Sequence, residues 1–177
     1  NIQNSCDAIL LRQHAGDSFE PLIDVTITPN EIRVVDNGIG MAVAELRNNF
    51  WKAGSSSKNT PEAQAAGVVG TFGIGAMANF GIASTLSVET ESFNTHERTV
   101  CSADKAKLSV TEECIDFRSC EPTGQFGTTI HASIAQGSEV DVHVATEYIR
   151  DFVKYLRFTV RVNGVVVSLN DMSSAVP

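Results

Sequence analysis

The segment Val34-Val35-Asp36-Asn37-Gly38-Ile39-Gly40-Met41 constrains this chain more than any other. An apolar, strand-like run ends on a carboxylate and then turns through two glycines. Lacking Cβ, the glycines permit positive φ and let the backbone come close to a flat aromatic group. An acid placed just before them can therefore face a buried ligand. Taken alone, Asp-Asn-Gly is also an ordinary hairpin-turn signal. The preceding residues fit a hairpin that leads into Asp36: Leu22-Ile23-Asp24-Val25-Thr26-Ile27-Thr28 alternates, Pro29-Asn30 turns, and Glu31-Ile32-Arg33-Val34-Val35 resumes as a strand.

Around this hairpin the pattern changes. Residues 1 to about 14 predict a helix with Ile2, Cys6, Ile9 and Leu10 on one stripe and Asn4, Asp7 and Leu11 on another face. Ala42 to about Trp51 predicts a second helix, with Leu46 and Phe50 at i, i+4 spacing. Composition then shifts toward Gly, Ser, Ala, Asn and Pro from Lys52 to Gly70. A run this long without strong periodicity is uncommon in a compact domain unless it is functional or mobile, so about 52–70 reads as a lid. Phe72 to about Phe80 fits a short helix. Strands are expected over residues 85–90, 98–102, 106–110 and 128–133. Val140 to Tyr155 fits a helix with Val144, Tyr148, Phe152 and Tyr155 on one stripe, and residues 158–162 and 165–169 flank the Asn163-Gly164 turn. Helices alternating irregularly with a mostly antiparallel sheet define an α+β class, with the helices on one face of the sheet.

A chain of 177 residues fits one domain, 1–177, and buries roughly two-thirds of its unfolded surface. No apolar run approaches the ~20 residues that cross a bilayer, and no signal-peptide pattern is present. A cytoplasmic protein without a membrane partner is expected, and the missing initial Met suggests a piece of a longer chain truncated at its N-terminus. The net charge of −8, from 13 basic and 21 acidic residues, argues against direct nucleic-acid binding. A phosphate site would have to be local, built from backbone N–H groups, a helix N-terminus or a cation. Cys6, Cys101, Cys114 and Cys120 form no C-x-x-C pair, and the four histidines have no zinc spacing. Reduced thiols are expected, with the state of Cys114 and Cys120 left open.

Several local motifs compete for the chemistry. Gly67-Val68-Val69-Gly70-Thr71-Phe72-Gly73-Ile74-Gly75 is no Walker A loop, because no Lys-Ser or Lys-Thr follows. Gly73-Ile74-Gly75-Ala76-Met77-Ala78 matches the dinucleotide pattern G-x-G-x-x-A, yet Pro61 and several alanines make a poor buried strand before it. The remaining reading is a hinge whose amides meet a triphosphate at a helix start. Ser55-Ser56-Ser57-Lys58 contains S-x-x-K without a companion motif, and His131 and His143 read as strand and helix-surface residues.

Four ordered motifs carry a family resemblance: Asn4-x-x-Asp7-Ala8, Asp36-x-Gly38-x-Gly40-Met41, Gly70-x-Phe72-Gly73-x-Gly75 and Gly127-Thr128-x-Ile130. Together they resemble the GHKL ATPases: gyrase, the ninety-kilodalton heat-shock chaperones, histidine kinases and the MutL proteins. Within that superfamily, Glu45-Leu46-Arg47-Asn48-Asn49-Phe50 and Val69 to Gly75 are most similar to the chaperone branch. The resemblance implies the Bergerat fold, an α/β two-layer sandwich that holds ATP or ADP with Mg²⁺ under a lid. It also implies slow ATP hydrolysis coupled to conformational change, other domains of the same chain and protein clients as partners, and a dimeric full-length protein. The alternatives are a GHKL ATPase of DNA repair, topology or defence, and a nucleotide-sensing switch that does not hydrolyse.

The residue roles implied by the resemblance follow its motifs. Asn4 would complete the shell of Mg²⁺, and Asp7 and Ala8 would stand beside it. Asp36 would accept from the adenine amino group, with Gly38, Gly40 and Met41 beside the ring and the Thr128 hydroxyl next to Asp36. Asn49 would reach ribose or phosphates, and the backbone of Gly70, Thr71, Phe72, Gly73, Ile74 and Gly75 would cradle the phosphates. The family's catalytic glutamate falls just before Asn1. The lid lysine is Lys52 or Lys58, and Ala76 stands where the chaperones usually carry an aromatic residue.

Overall fold

The computed structural model describes residues 1–51, 81–107 and 115–169. Helix α1 (Ile2–His14) precedes the hairpin β1 (Leu22–Thr28) and β2 (Glu31–Asp36). A short helix α2 (Val43–Glu45) runs on into a π-turn, Leu46–Phe50. Then come β3 (Ala83–Glu91), β4 (Arg98–Asp104), a 3₁₀ turn at Lys105–Lys107, β5 (Asp116–Cys120), β6 (Gly127–Ile134), α3 (Val142–Val153), β7 (Thr159–Val162) and β8 (Val165–Val166). The strands form one sheet in the order β5-β4-β3-β6-β2-β1-β7-β8. β1 and β7 run parallel, and the other neighbouring pairs are antiparallel.

Cross-strand register explains both the core and the place of the site. Val162, Val25, Val34, Ile130, Val88 and Cys101 are successive partners across six strands, and all six are buried. Side chains two residues apart share a face, so the next row on that face is Val160, Ile23, Asp36, Thr128, Thr90 and Thr99. This row is buried too, but from Asp36 onward it is polar. The buried face thus changes from hydrocarbon to oxygen at one end of β2, β6 and β3.

The helices cover that face. Cys6 and Ile9 of α1 and Val153 of α3 pack with Ile23, Val25, Val34 and Val160, while Leu46, Phe50 and Trp51 pack with Leu86, Val88, Cys101 and Ile130. A regular helix was expected over 42–51. Instead the Trp51 N–H donates to the Leu46 carbonyl at 3.2 Å, an i→i+5 bond that widens the turn and brings Leu46, Phe50 and Trp51 together onto the core. The Trp51 indole N–H donates to Cys101 Sγ at 3.2 Å, and burial pushes that thiol up to about 11. Cys6, Cys101 and Cys120 are in no disulfide, and Cys114 lies outside the described residues.

Two expectations differ in detail. The α3 stripe of Val144, Tyr148, Phe152 and Tyr155 faces outward, with Tyr148 75% exposed, while Val142, Ala145, Ile149 and Val153 face the core. Apolar residues lie on both sides of this helix, so periodicity alone left its facing open. Of the strand expected over 106–110, residues 106 and 107 belong to the 3₁₀ turn Lys105–Lys107 and 108–110 lie outside the described residues; β5 lacks the strict alternation that marks the inner strands. No helix among the described residues is long and apolar enough to cross a membrane. The expected lid and the expected helix at residues 72–80 lie outside the described residues.

Gly40 has φ +65°, and a Cβ there would stand 1.9 Å from the Glu91 carbonyl oxygen. We expect Gly40→Ala to destabilise the fold by more than about 2 kcal/mol, from left-handed strain and backbone collision together. Gly124→Ala, at φ +76° with nothing within 4 Å of the added methyl, should cost only about 1 kcal/mol. Urea unfolding midpoints of the two variants check the difference.

Candidate functional site

At the polar end of the buried row lies a cavity of about 90 Å³. Asn4, Ser5, Ala8 and Leu11 of α1 form one wall. Asp36 ends β2 on the floor, next to Thr128 and Ile130 of β6, and Ile39, Gly40 and Met41 follow in the turn. Glu45, Asn49 and Phe50 close the opposite wall. The π-turn contributes directly, since it sends Phe50 to the core and still leaves Asn49 on the cavity.

Three close backbone approaches hold this arrangement. A Cβ on Gly38 would lie 2.6 Å from the Ala8 carbonyl carbon, and the Ile39 N–H donates to the Ala8 carbonyl at 2.9 Å. Gly40 presses on Glu91, and Gly127, at φ +131°, would place a Cβ 2.0 Å from the Asp36 carbonyl oxygen. Glycine is required at each point because backbone occupies the space a side chain would need. The Asp36–Gly38 turn is thereby pinned to α1, β3 and β6 at once.

Asp36 is only 7% exposed. Its carboxylate accepts from the Ser5 hydroxyl at 2.8 Å and from the Gly38 N–H at 3.0 Å. Asn37, next in the turn, accepts from the Leu22 N–H at 2.8 Å and donates to the Glu20 carbonyl at 2.7 Å through its side chain. Its carbonyl accepts from Arg12 Nη1 at 2.7 Å. The Arg12 guanidinium also pairs with Asp17 at 2.6 Å and lies over the Phe19 ring at 4.1 Å and near Phe126 at 5.2 Å, contacts that hold a cation against aromatic faces.

On the other side of the floor, Thr90 Oγ1 accepts from the Met41 N–H and donates to the Gly127 carbonyl, each at 3.0 Å. It also meets Thr128 Oγ1 at 3.0 Å. Glu91, 4% exposed, accepts from the Thr123 N–H and hydroxyl and from the Gly124 N–H at 2.6 to 3.1 Å. Burial tends to raise this carboxyl, but those donors, joined by Arg98, outweigh it and hold the group below the ordinary 4.5. Glu91 thus fixes the loop that delivers Gly127 and Thr128 to the floor.

The structure brings Asn4, Ala8, Asp36, Gly40, Met41, Asn49 and Thr128 together on one cavity. Gly38 packs just behind, against Ala8. Asp7 is fully buried, accepts from Gln3 Nε2 at 2.8 Å and is not among the lining residues. Lys52, Lys58 and Gly70 to Gly75 lie outside the described residues. The sequence reading overlooked Ser5, whose neighbour Asn4 drew attention to a different helix face, and Thr90. Thr90 continues the parity of Leu86 and Val88, a signal that becomes informative only once the strand register is known.

The donors also bear on a cation. Among the described residues no three His, Cys, Asp or Glu side chains gather as a metal site, whereas the Asn4 amide lies on the cavity wall. One neutral oxygen suits Mg²⁺, which keeps several waters and takes most other ligands from phosphate oxygens. An amide oxygen such as that of Asn4 is thus of a donor type that would fit such an ion.

Residues 1–121 match the model of the histidine kinase-, DNA gyrase B- and HSP90-like ATPase family, and the chain belongs to that family. The described sheet and helices agree with the α+β sandwich of the GHKL fold. Among curated proteins, the chain is 25% identical over 193 residues to the chaperone protein HtpG of Oceanobacillus iheyensis, covering 98% of this chain and 30% of that protein. It is 24% identical over 191 residues to HtpG of Nitratidesulfovibrio vulgaris, covering 95% of the chain and 29% of the relative. A third likeness, to HtpG of Rhodopseudomonas palustris, reaches 37% over 81 residues, 41% of this chain and 13% of the relative. The chain thus spans less than a third of the length of these relatives.

A carboxyl held below its ordinary value stabilises the fold above its unfolded pKa, and that contribution is lost as the pH falls through the folded value. We expect Glu91→Gln to lower stability by about 1.5 kcal/mol at pH 7, the scale of hydrogen bonds to a charged acceptor. The difference from the parent should close as the pH falls below 4.5. Thermal unfolding of both proteins from pH 7 to pH 3 checks the sign.

Proposed function

We propose that this chain is the ATP-binding domain of a heat-shock-chaperone-like GHKL ATPase, in which Mg-ATP binding and slow hydrolysis drive conformational change in a larger protein. The observation that carries this reading is the buried Asp36 carboxylate on the cavity floor, held by Ser5 and Gly38 and surrounded by residues from three of the four sequence motifs. A carboxylate oriented in this way accepts from an exocyclic amine, which adenine supplies. The apolar wall of Ala8, Leu11, Ile39, Met41 and Ile130 suits the faces and edges of a purine.

In this reading Asn4 and Asn49 meet the ribose–phosphate end, with Mg²⁺ at Asn4. When bound, the ion neutralises phosphate charge; the residues of the chain bind and orient. Residues 1–177 form one ATP-binding domain, with 52–70 as its lid, Lys52 or Lys58 as the lid lysine, and the amides of 70–75 as the phosphate cradle. These last assignments rest on the motifs. A water-activating glutamate would be expected just before Asn1, on the motif spacing alone. Asp7, buried behind the cavity wall and bonded to Gln3, is not proposed for that role. Protein clients, a dimeric full-length protein and a cytoplasmic setting follow from likeness to the chaperone branch.

Isothermal titration calorimetry with ADP and Mg²⁺ tests the reading. The parent should bind, and Asp36→Asn should weaken binding roughly 10- to 150-fold, the value of about 1.5–3 kcal/mol for a hydrogen bond to a charged acceptor. Equal affinity in the variant, or binding of NAD in place of ADP, would overturn the assignment.

A further inference from the structure

We propose that Thr90 is a positioning residue for base recognition: its hydroxyl turns the Thr128 hydroxyl so that Thr128 meets a bound base as an acceptor. The inference rests on the reading above, in which a purine occupies the cavity. Thr90 does not itself line that cavity, and it is 1% exposed.

A hydroxyl carries one proton and two lone pairs. Thr90 Oγ1 has three polar neighbours at 3.0 Å: the Met41 N–H, which can only donate, the Gly127 carbonyl, which can only accept, and Thr128 Oγ1, which can do either. If Thr90 gives its proton to Gly127, its lone pairs take the Met41 N–H and the Thr128 O–H, and all three contacts are hydrogen bonds. If it gives the proton to Thr128, two oxygens face each other at 3.0 Å without a hydrogen between them, in a buried place where that is costly. The first arrangement wins. Thr128 then points its proton away from the cavity and its remaining lone pairs toward it.

Thr128 is the cross-strand partner of Asp36, so the floor presents two acceptors side by side. An exocyclic amine fits that floor, whereas a carbonyl in the same position would set lone pairs against lone pairs. Thr90 therefore strengthens the choice of a 6-aminopurine over a 6-oxopurine without touching either.

ADP and inosine diphosphate, which differ at that position, are the probes. By titration calorimetry the parent should prefer ADP. Thr90→Val keeps the shape, removes the hydroxyl and frees Thr128 to turn its proton inward. The ratio of ADP to inosine diphosphate affinity should then fall on the order of tenfold, and Thr90→Ser should retain the parent ratio. In a Thr128→Val background, Thr90→Val should leave the ratio unchanged. A folded Thr90→Val protein with the parent ratio, or an equal fall in both backgrounds, would overturn the proposal while leaving nucleotide binding intact. If Thr90→Val does not fold, Thr128→Val alone decides. A larger loss of ADP than of inosine diphosphate supports the proposal, and the reverse overturns it. A parent that binds neither nucleotide overturns the underlying reading, and this inference with it.

Discussion

A carboxylate buried at the end of a central strand is the constraint around which the rest of this domain is arranged. Taking a charged oxygen pair out of water is costly unless donors replace the lost hydration. Among the described residues Asp36 accepts from the Ser5 hydroxyl of α1 and from the Gly38 N–H of its own turn. These donors come from segments more than thirty residues apart, so helix and hairpin must dock correctly before the acid is satisfied. The cavity beside it exists because the buried row of the sheet becomes polar at that point, where Asp36, Thr128 and Thr90 replace the valines and isoleucine of the row below.

Backbone contact, more than side-chain packing, sets the site's dimensions. Gly38 against Ala8, Gly40 against Glu91 and Gly127 against Asp36 leave no room for a Cβ. Segments that meet through backbone have little freedom to slide. Arg12, lodged among aromatic rings and bonded to the Asn37 carbonyl, and Glu91, bonded across to residues 123 and 124, brace the same turn from opposite sides. The floor is thereby held by backbone contact and by polar side chains of neighbouring strands and helix.

Much of this was legible in the residues. The alternation of Leu22–Thr28 and the glycine turn after Asp36 locate the hairpin within a residue or so, and the family resemblance groups Asn4, Ala8, Asp36 and Thr128, which line one cavity. In the sequence the glycines suggest room for a ligand ring. In the structure their nearest neighbours are backbone atoms of the protein itself, a contact between distant segments that local pattern does not encode. The π-turn at Leu46–Phe50 was invisible for a related reason: its sequence fits an ordinary helix, and only burial of Leu46, Phe50 and Trp51 together favours the wider turn. The outward stripe of α3 carries a similar lesson, since both faces of that helix are apolar and the sheet decides which one is covered.

Under the proposed function, Asp36 would accept from the amino group of an adenine lying in the cavity between α1 and the π-turn. A crystal structure of the protein with ADP and Mg²⁺ tests it most directly. The exocyclic nitrogen should lie within about 2.7–3.2 Å of an Asp36 carboxylate oxygen, with the ring between Ala8 and Met41 and Thr128 beside it. ADP bound at another place, or a base in this cavity whose amino group points away from Asp36, would contradict it.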